Sequence, residues 1–233
     1  MNTAIPSPSR APSSELNVDL GRDSALDVGR GLLAFNWLPA AYAHRDWLGP
    51  WGELLEPRDK AGVRLVRRVS GVLLDRYALR ERYVRDLGSH GWLLQPHVTI
   101  RRVATELGAA MLGGWVQGSL ERREVALQVR MMGPVLRQRA LEYAQHLRAL
   151  PFGGKRGPTW GLQLTGQASI FRLGLSCLSA LLNDPRSGAR ERFTMRFSSG
   201  LITPLELTSA QQDEALAVIH AVLDEPRTHQ EAA

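Results

Sequence analysis

The sequence predicts a mainly α, compact multi-helix domain, and three observations carry that prediction. Apolar residues recur at spacings of three and four, as in Val63, Val66, Val69, Val72, Leu73 and Tyr77, which is the period of one helix face. The segment 162–182 holds a single charge, Arg172, and a helix apolar on most sides belongs inside a core. Nowhere do strand-like runs alternate with helical ones, so a parallel sheet is not expected. One stretch departs from the pattern. Arg192-Phe193-Thr194-Met195-Arg196-Phe197 alternates polar and apolar residues, which fits a short β element near the C-terminus as well as it fits a short helix.

Residues 1–22 contain Pro6, Pro8, Pro12 and several Ser and read as a disordered tail. A single helical domain over 23–225 follows, divisible into sub-lobes 23–150 and 160–225, and the end beyond Pro226 (226–233) should fray. Asp23 is placed to cap a first helix reaching Phe35. Pro39 then lacks a backbone donor and biases Leu38 toward extended geometry, which predicts a corner and a second short element near Ala40. Gly49-Pro50, Gly52 and Pro57 mark a loop over Trp47–Asp59.

The next helix carries the Val63–Tyr77 periodicity, with Arg64, Arg67, Arg68, Asp75 and Arg76 mostly elsewhere on the wheel. Gly88 and Gly91 punctuate its end. After Pro96, Ile100, Val103, Leu107, Ala110, Met111 and Trp115 line one face of another helix. Gly108, Gly113, Gly114 and Gly118 fall inside it, each at a cost of about 1 kcal/mol against Ala. Such a loss is tolerated where a second backbone must come close, so a tight helix crossing is expected; the alternative is a break at Gly113-Gly114. Residues 120–150 read as helix interrupted at Gly133-Pro134, with Pro134 opening a new helix at its first position. Residues 151–161 hold four Gly and two Pro and form a loop. Asn183-Asp184-Pro185 ends the apolar segment. Ser209–Leu223 is a last amphipathic helix, with Thr208 or Ser209 as its cap.

The chain has 233 residues, 44% of them hydrophobic and 22% charged, which is ordinary for a globular domain. No run of about 18 apolar residues predicts a membrane span. Met1–Ser14 has no apolar stretch of the kind a secretory signal needs. A lone Cys177 leaves no intrachain disulfide and no multi-Cys zinc site. A cytoplasmic location is the resulting expectation. The net charge is +6, and Lys60 and Lys155 are the only Lys among 29 basic residues. Basicity invites nucleic acid or an acidic surface, but a bias to Arg is also what a GC-rich genome produces on solvated helix faces.

Chemical motifs are sparse. Gly153-Gly154-Lys155-Arg156-Gly157 departs from a phosphate-binding Walker loop, because Arg156 stands where a hydroxyl residue is needed and no strand precedes it. His44, His90, His97, His146, His220 and His229 make no His-x-x-x-His pair. Cys177 lies in the most apolar segment, where a thiol behaves as a small hydrophobe with a raised pKa. Acidic residues interleave with Arg, as in Glu121-Arg122-Arg123-Glu124, which suits solvated faces more than acid–base work. No catalytic, metal or cofactor site is expected, and the chain reads as a non-enzyme. Arg64-Arg67-Arg68, Arg101-Arg102 and Arg122-Arg123 are scattered over separate helices without a polar recognition face, so nucleic-acid binding stands only as the alternative reading.

The densest information lies in Leu33–Leu48, which packs Phe35, Trp37, Tyr42 and Trp47 around Pro39 and His44, in a chain where aromatics are 6% of residues. These side chains either cap the core or form a contact surface. His44 suits a hydrogen-bonded position at a helix end. The pattern Phe35-x-x-x-Pro39-Ala40-Ala41-Tyr42-x-His44 resembles the opening of the SctK/YscK family, cytoplasmic accessory proteins of bacterial type III secretion. Two further stretches agree in order and spacing: Leu107-Gly108 through Gly114, and Gly174-Leu175 through Leu182 followed by Pro185 and Arg192–Phe197. The resemblance covers most of residues 30–200. It implies a non-enzymatic adaptor of the sorting platform, peripheral to the inner membrane without inserting into it. Such an adaptor bridges the cytoplasmic domain of an SctD-like ring protein to an SctQ-like pod protein, and through it an SctL-like stalk and an SctN-like ATPase. Interfaces favour Trp, Tyr and Arg anchors, so the partner-binding candidates are Phe35, Trp37, Pro39, Tyr42, His44, Arg45 and Trp47.

Overall fold

The computed structural model describes residues 25–55, 60–150 and 166–225. Among them are eight α-helices, short 3-10 turns and no strand. The helices are α1 (Ala25–Trp37), α2 (Arg45–Leu48), α3 (Lys60–Arg76), α4 (His97–Gly118), α5 (Arg122–His146), α6 (Gln167–Ala180), α7 (Ala189–Met195) and α8 (Ser209–Asp224). The expected tails, the Asp23 cap, the glycine-rich loop around Lys155 and the start of the apolar segment before Gly166 lie outside the described residues.

α4 is the central helix, packed against α5, α6 and α8. It runs unbroken through Gly113 and Gly114, because its glycines serve the expected close crossing. A Cβ on Gly108 would sit 2.0 Å from the Ile170 carbonyl oxygen, and one on Gly174 would sit 1.6 Å from that of Ala104. The two backbones therefore touch where both helices lack a side chain. Gly113 plays the same part toward α5, where a Cβ would meet the Ala140 carbonyl at 2.9 Å. The main hydrophobic core spans α4, α5, α6 and α8, so it runs through both of the sub-lobes the sequence suggests.

α5 bends where the sequence predicts it. Gly133 adopts φ 80°, a conformation open to Gly without steric penalty, and Pro134 removes a helix donor there. Gln167 at the start of α6 donates to the Met132 carbonyl beside the kink. α8 begins in a capping box between Thr208 and Gln211. Its first turns return a carboxylate: Glu214 accepts from the backbone N–H groups of Arg148, Ala149 and Leu150. Its far end is tied by Arg102, which donates to the Val222 carbonyl, and by an Arg139–Glu225 ion pair.

A second, smaller apolar cluster gathers residues from 40 to 79, among them Ala40, Leu48, Val69, Leu73 and Leu79, together with Met195. The predicted loop after Trp47 is more ordered than expected, with α2 reaching Leu48 and 3-10 turns at Gly49–Trp51 and Glu53–Leu55. α3 ends at Arg76 and turns sharply at Ala78, φ 50°. Its buried face is carried by Val69, Leu73 and Leu74, while Val63 and Val72 point outward.

α7 joins the two clusters. Phe193 and Phe197 enter the main core and Met195 enters the smaller one. The alternating stretch 192–197 is thus the end of a helix and not a strand. Alternation misleads here because its polar members are not outside: Arg192 and Arg196 are both buried.

Candidate interaction surface around the aromatic run

The run 35–48 folds as the end of α1, a 3-10 turn at Pro39–Ala41, an extended step at His44 and the short α2. Its seven candidate residues divide by exposure. Phe35 and Pro39 are buried, and Tyr42 is half-buried with its ring stacked on Phe35 at 5.6 Å. The Tyr42 hydroxyl donates to the Phe35 carbonyl at 2.7 Å. Burial pushes this phenol well above its usual pKa, against the pull of Arg192 and Arg196. These three side chains are part of the packed interior.

His44 takes the structural position expected of it. It is the N-cap of α2, and its Nδ1 accepts the Asp46 N–H at 3.3 Å. The same nitrogen lies 3.3 Å from the Asp46 carboxylate. It cannot serve both, since it must be unprotonated to accept and protonated to pair. The cap bond is the geometry an N-terminus calls for.

α2 is docked on the residues that follow α7. The His44 N–H donates to the Met195 carbonyl at 2.7 Å, and the Trp47 indole to that of Phe197 at 2.6 Å. Asp46 accepts from the Ser198 hydroxyl and from the Ser199 N–H. The Ser198 bond does most to hold its carboxyl below the usual range. Trp47 also meets Tyr77 edge-on at 5.7 Å. The N-terminal run is therefore a neighbour in space of Arg192–Phe197, the last part of the third likeness read from the sequence.

Sequence reasoning did not single out the residues that lock this junction. Arg192 is fully buried and bonded only to carbonyls: Arg82 at 2.6 Å, Leu79 at 2.8 Å, Ser187 and Gly188 at 3.2 Å each, and Asn36 at 3.3 Å. Arg196 reaches the carbonyls of Leu93 and Gln95, both at 2.8 Å. Burial lowers the pKa of both guanidiniums, that of Arg196 to about 10, so Arg196 remains a cation at neutral pH. Asn36 completes the set, exchanging two hydrogen bonds with the backbone of Val84 at 2.8 and 2.9 Å. A cue was present: Arg192 and Arg196 are one turn apart among Phe193, Met195 and Phe197, where a solvated charge has no room.

The rest of the run faces outward. Trp37 is 44% exposed at the end of α1, with Leu33 one turn before it at 62%. The Trp37 ring stacks on Tyr83 at 6.4 Å, and the Arg85 guanidinium lies over Tyr83 at 5.3 Å. Tyr83 and Arg85 also line a shallow depression of about 440 Å³ that includes Asp86, Asp184 and Arg186. Arg45 is exposed at the start of α2. Tyr83 and Arg85 lie in irregular chain after α3, and no local period marks them.

Burial pushes the Cys177 thiol up to about 12, so it is not a thiolate at neutral pH. Among the described residues, no three His, Cys, Asp or Glu side chains lie together in a way that would hold a metal, and no helix is long and apolar enough to cross a membrane. No family model, no curated protein and no solved structure matches the chain.

Proposed function

We propose that this chain is a helical adaptor that acts by holding other proteins together and not by catalysis. The particular adaptor it resembles is the SctK-like component of the type III secretion sorting platform. In that role it sits in the cytoplasm, peripheral to the inner membrane. It links the cytoplasmic domain of an SctD-like ring protein to an SctQ-like pod protein, and through the latter an SctL-like stalk and an SctN-like ATPase.

One observation carries the adaptor reading. The aromatic run is not consumed by the core: Trp37, with Leu33, Tyr83 and Arg85, forms an outward ledge of the residue types that anchor interfaces. Rigid scaffolding supports it, because Asn36, the neighbour of Trp37, is buried and bonded on both sides of its amide. The particular identity rests on the motif Phe35–His44.

The test is co-expression with the SctD-like and SctQ-like cytoplasmic domains of the same organism, followed by co-purification at physiological salt. A stable complex with either is expected, and Trp37→Ala with Tyr83→Ala should weaken it at least about tenfold while leaving the helix content unchanged. Failure of both complexes would overturn the secretion role. Retention of nucleic acid that is stripped steeply by salt would favour the alternative, a basic helical nucleic-acid-binding protein.

A further inference from the structure

α3 carries a second stripe on the side away from the smaller apolar cluster. Arg64, Arg67, Arg68 and Val72 are all exposed, with half-exposed Gly71 among them, at the three- and four-residue steps that align side chains along one face. No described carboxylate pairs with Arg64, Arg67 or Arg68. The one acid within α3, Asp75, is taken by Arg80 through two bonds. Gly71 adds no side chain of its own, and the Arg80 guanidinium lies over it, 3.5 Å from where a Cβ would sit. The stripe is thus three cations without an acidic partner among the described residues, beside an exposed valine.

We infer that this outward face of α3 is a second docking surface, and that its occupant is an acidic amphipathic helix of a partner protein. Charge complementarity argues for the acid: three arginines without a partner among the described carboxylates recruit carboxylates and speed encounter. Helical spacing argues for the helix, since cations at i, i+3 and i+4 match carboxylates repeating at the same steps. Val72 argues for an apolar contact within the charged face, because it is 47% exposed and offers a side chain to cover. The surface goes beyond the Trp37 ledge and does not depend on it.

The experiment is a selection from a displayed library of helical peptides of about 18 residues, long enough to cover α3, against the full chain. Selected sequences should carry Glu or Asp at three- and four-residue steps with an apolar residue between. A labelled winner should bind at least about tenfold more weakly to the variant Arg64→Glu, Arg67→Glu, Arg68→Glu. The control Arg122→Glu, Arg123→Glu, Arg130→Glu changes the net charge equally on α5 and should retain binding, as should Trp37→Ala with Tyr83→Ala. Circular dichroism verifies that each variant is folded. Winners without acidic periodicity, or equal loss in the α5 control, would overturn the proposal. So would tighter α3-dependent binding to duplex DNA, or to vesicles containing about one-third phosphatidylserine, than to the best peptide.

Discussion

The crossing of α4 with α6 and the junction around α7 hold this molecule together by opposite means. At the crossing, two glycines remove the side chains and let the backbones touch, and the surrounding residues are apolar and fully buried. Stabilisation there comes from close packing and area removed from water. At the junction, two buried arginines and an asparagine bind carbonyl and amide groups from α1, from the segment after α3 and from the 88–95 region. Stabilisation there is polar and directional, and it depends on every acceptor keeping its donor. Helices with long apolar faces can meet by burial alone. Short or irregular pieces, such as α2, α7 and residues 79–95, offer little area and need a bonded key.

That contrast can be broken in steps of decreasing size. The largest effect is expected from Gly174→Val, which forces atoms into the Ala104 carbonyl and should cost more than about 4 kcal/mol or abolish the cooperative urea transition. A folded variant with a nearly unchanged midpoint would mean that the crossing is not backbone-limited.

Arg192→Met comes next. It keeps much of the volume but removes the side-chain donor from five carbonyls, of which Leu79 and Gly188 keep a backbone donor, and should cost about 3 kcal/mol in denaturant unfolding. An unchanged midpoint would show that the junction, like the crossing, is held by apolar burial, and the contrast would dissolve.

Tyr42→Phe sharpens the picture at one bond. It retains the stack on Phe35 and loses the hydroxyl bond to its carbonyl, so a loss of about 1 kcal/mol is expected from the same measurement. A loss as large as that of Tyr42→Ala would show that the hydroxyl outweighs the ring.

The smallest effect is a pH dependence at α8. Burial works to raise the Glu214 pKa, but the donors at Leu150, Arg148 and Ala149 together bring it below its ordinary value near 4.5. A carboxyl with a depressed folded pKa contributes stability above its unfolded pKa and loses it as pH falls through the folded value. Glu214→Gln should therefore flatten the acid limb of the stability profile below about pH 4.5 and leave its slope near neutrality alone. An identical acid limb in the variant would remove Glu214 from the account.

Much of this was legible in the residues. The helical class, the Gly133-Pro134 bend, the capped last helix and the close crossing at Gly108 follow from period, turn chemistry and the cost of glycine in a helix. The place of His44 at a helix end was the structural reading of a histidine inside the aromatic run, and the N-cap of α2 agrees with it. Other features had no local signal. Gly174 sits in an ordinary apolar sequence, and its partner Ala104 is seventy positions away. Val63 and Val72 fit the apolar period of α3 yet face outward, because a valine satisfies the pattern whether or not a neighbour covers it. Arg192 and Arg196 made a buried helix resemble a strand, since alternation assumes that polar means outside.

By itself, then, the sequence determined the class of fold, the positions of most helices and the run on which attention should fall. These depend on interactions within a few residues, whose period and caps are written locally. The tertiary structure decided which aromatics of that run are interior and which are presented. Phe35 and Tyr42 went inward because the main core closes over them, and Pro39 because its turn packs on α3, whereas Trp37 is met by the Tyr83 ring and stays 44% exposed. That asymmetry arises between parts of the chain far apart in sequence, and no local pattern encodes it.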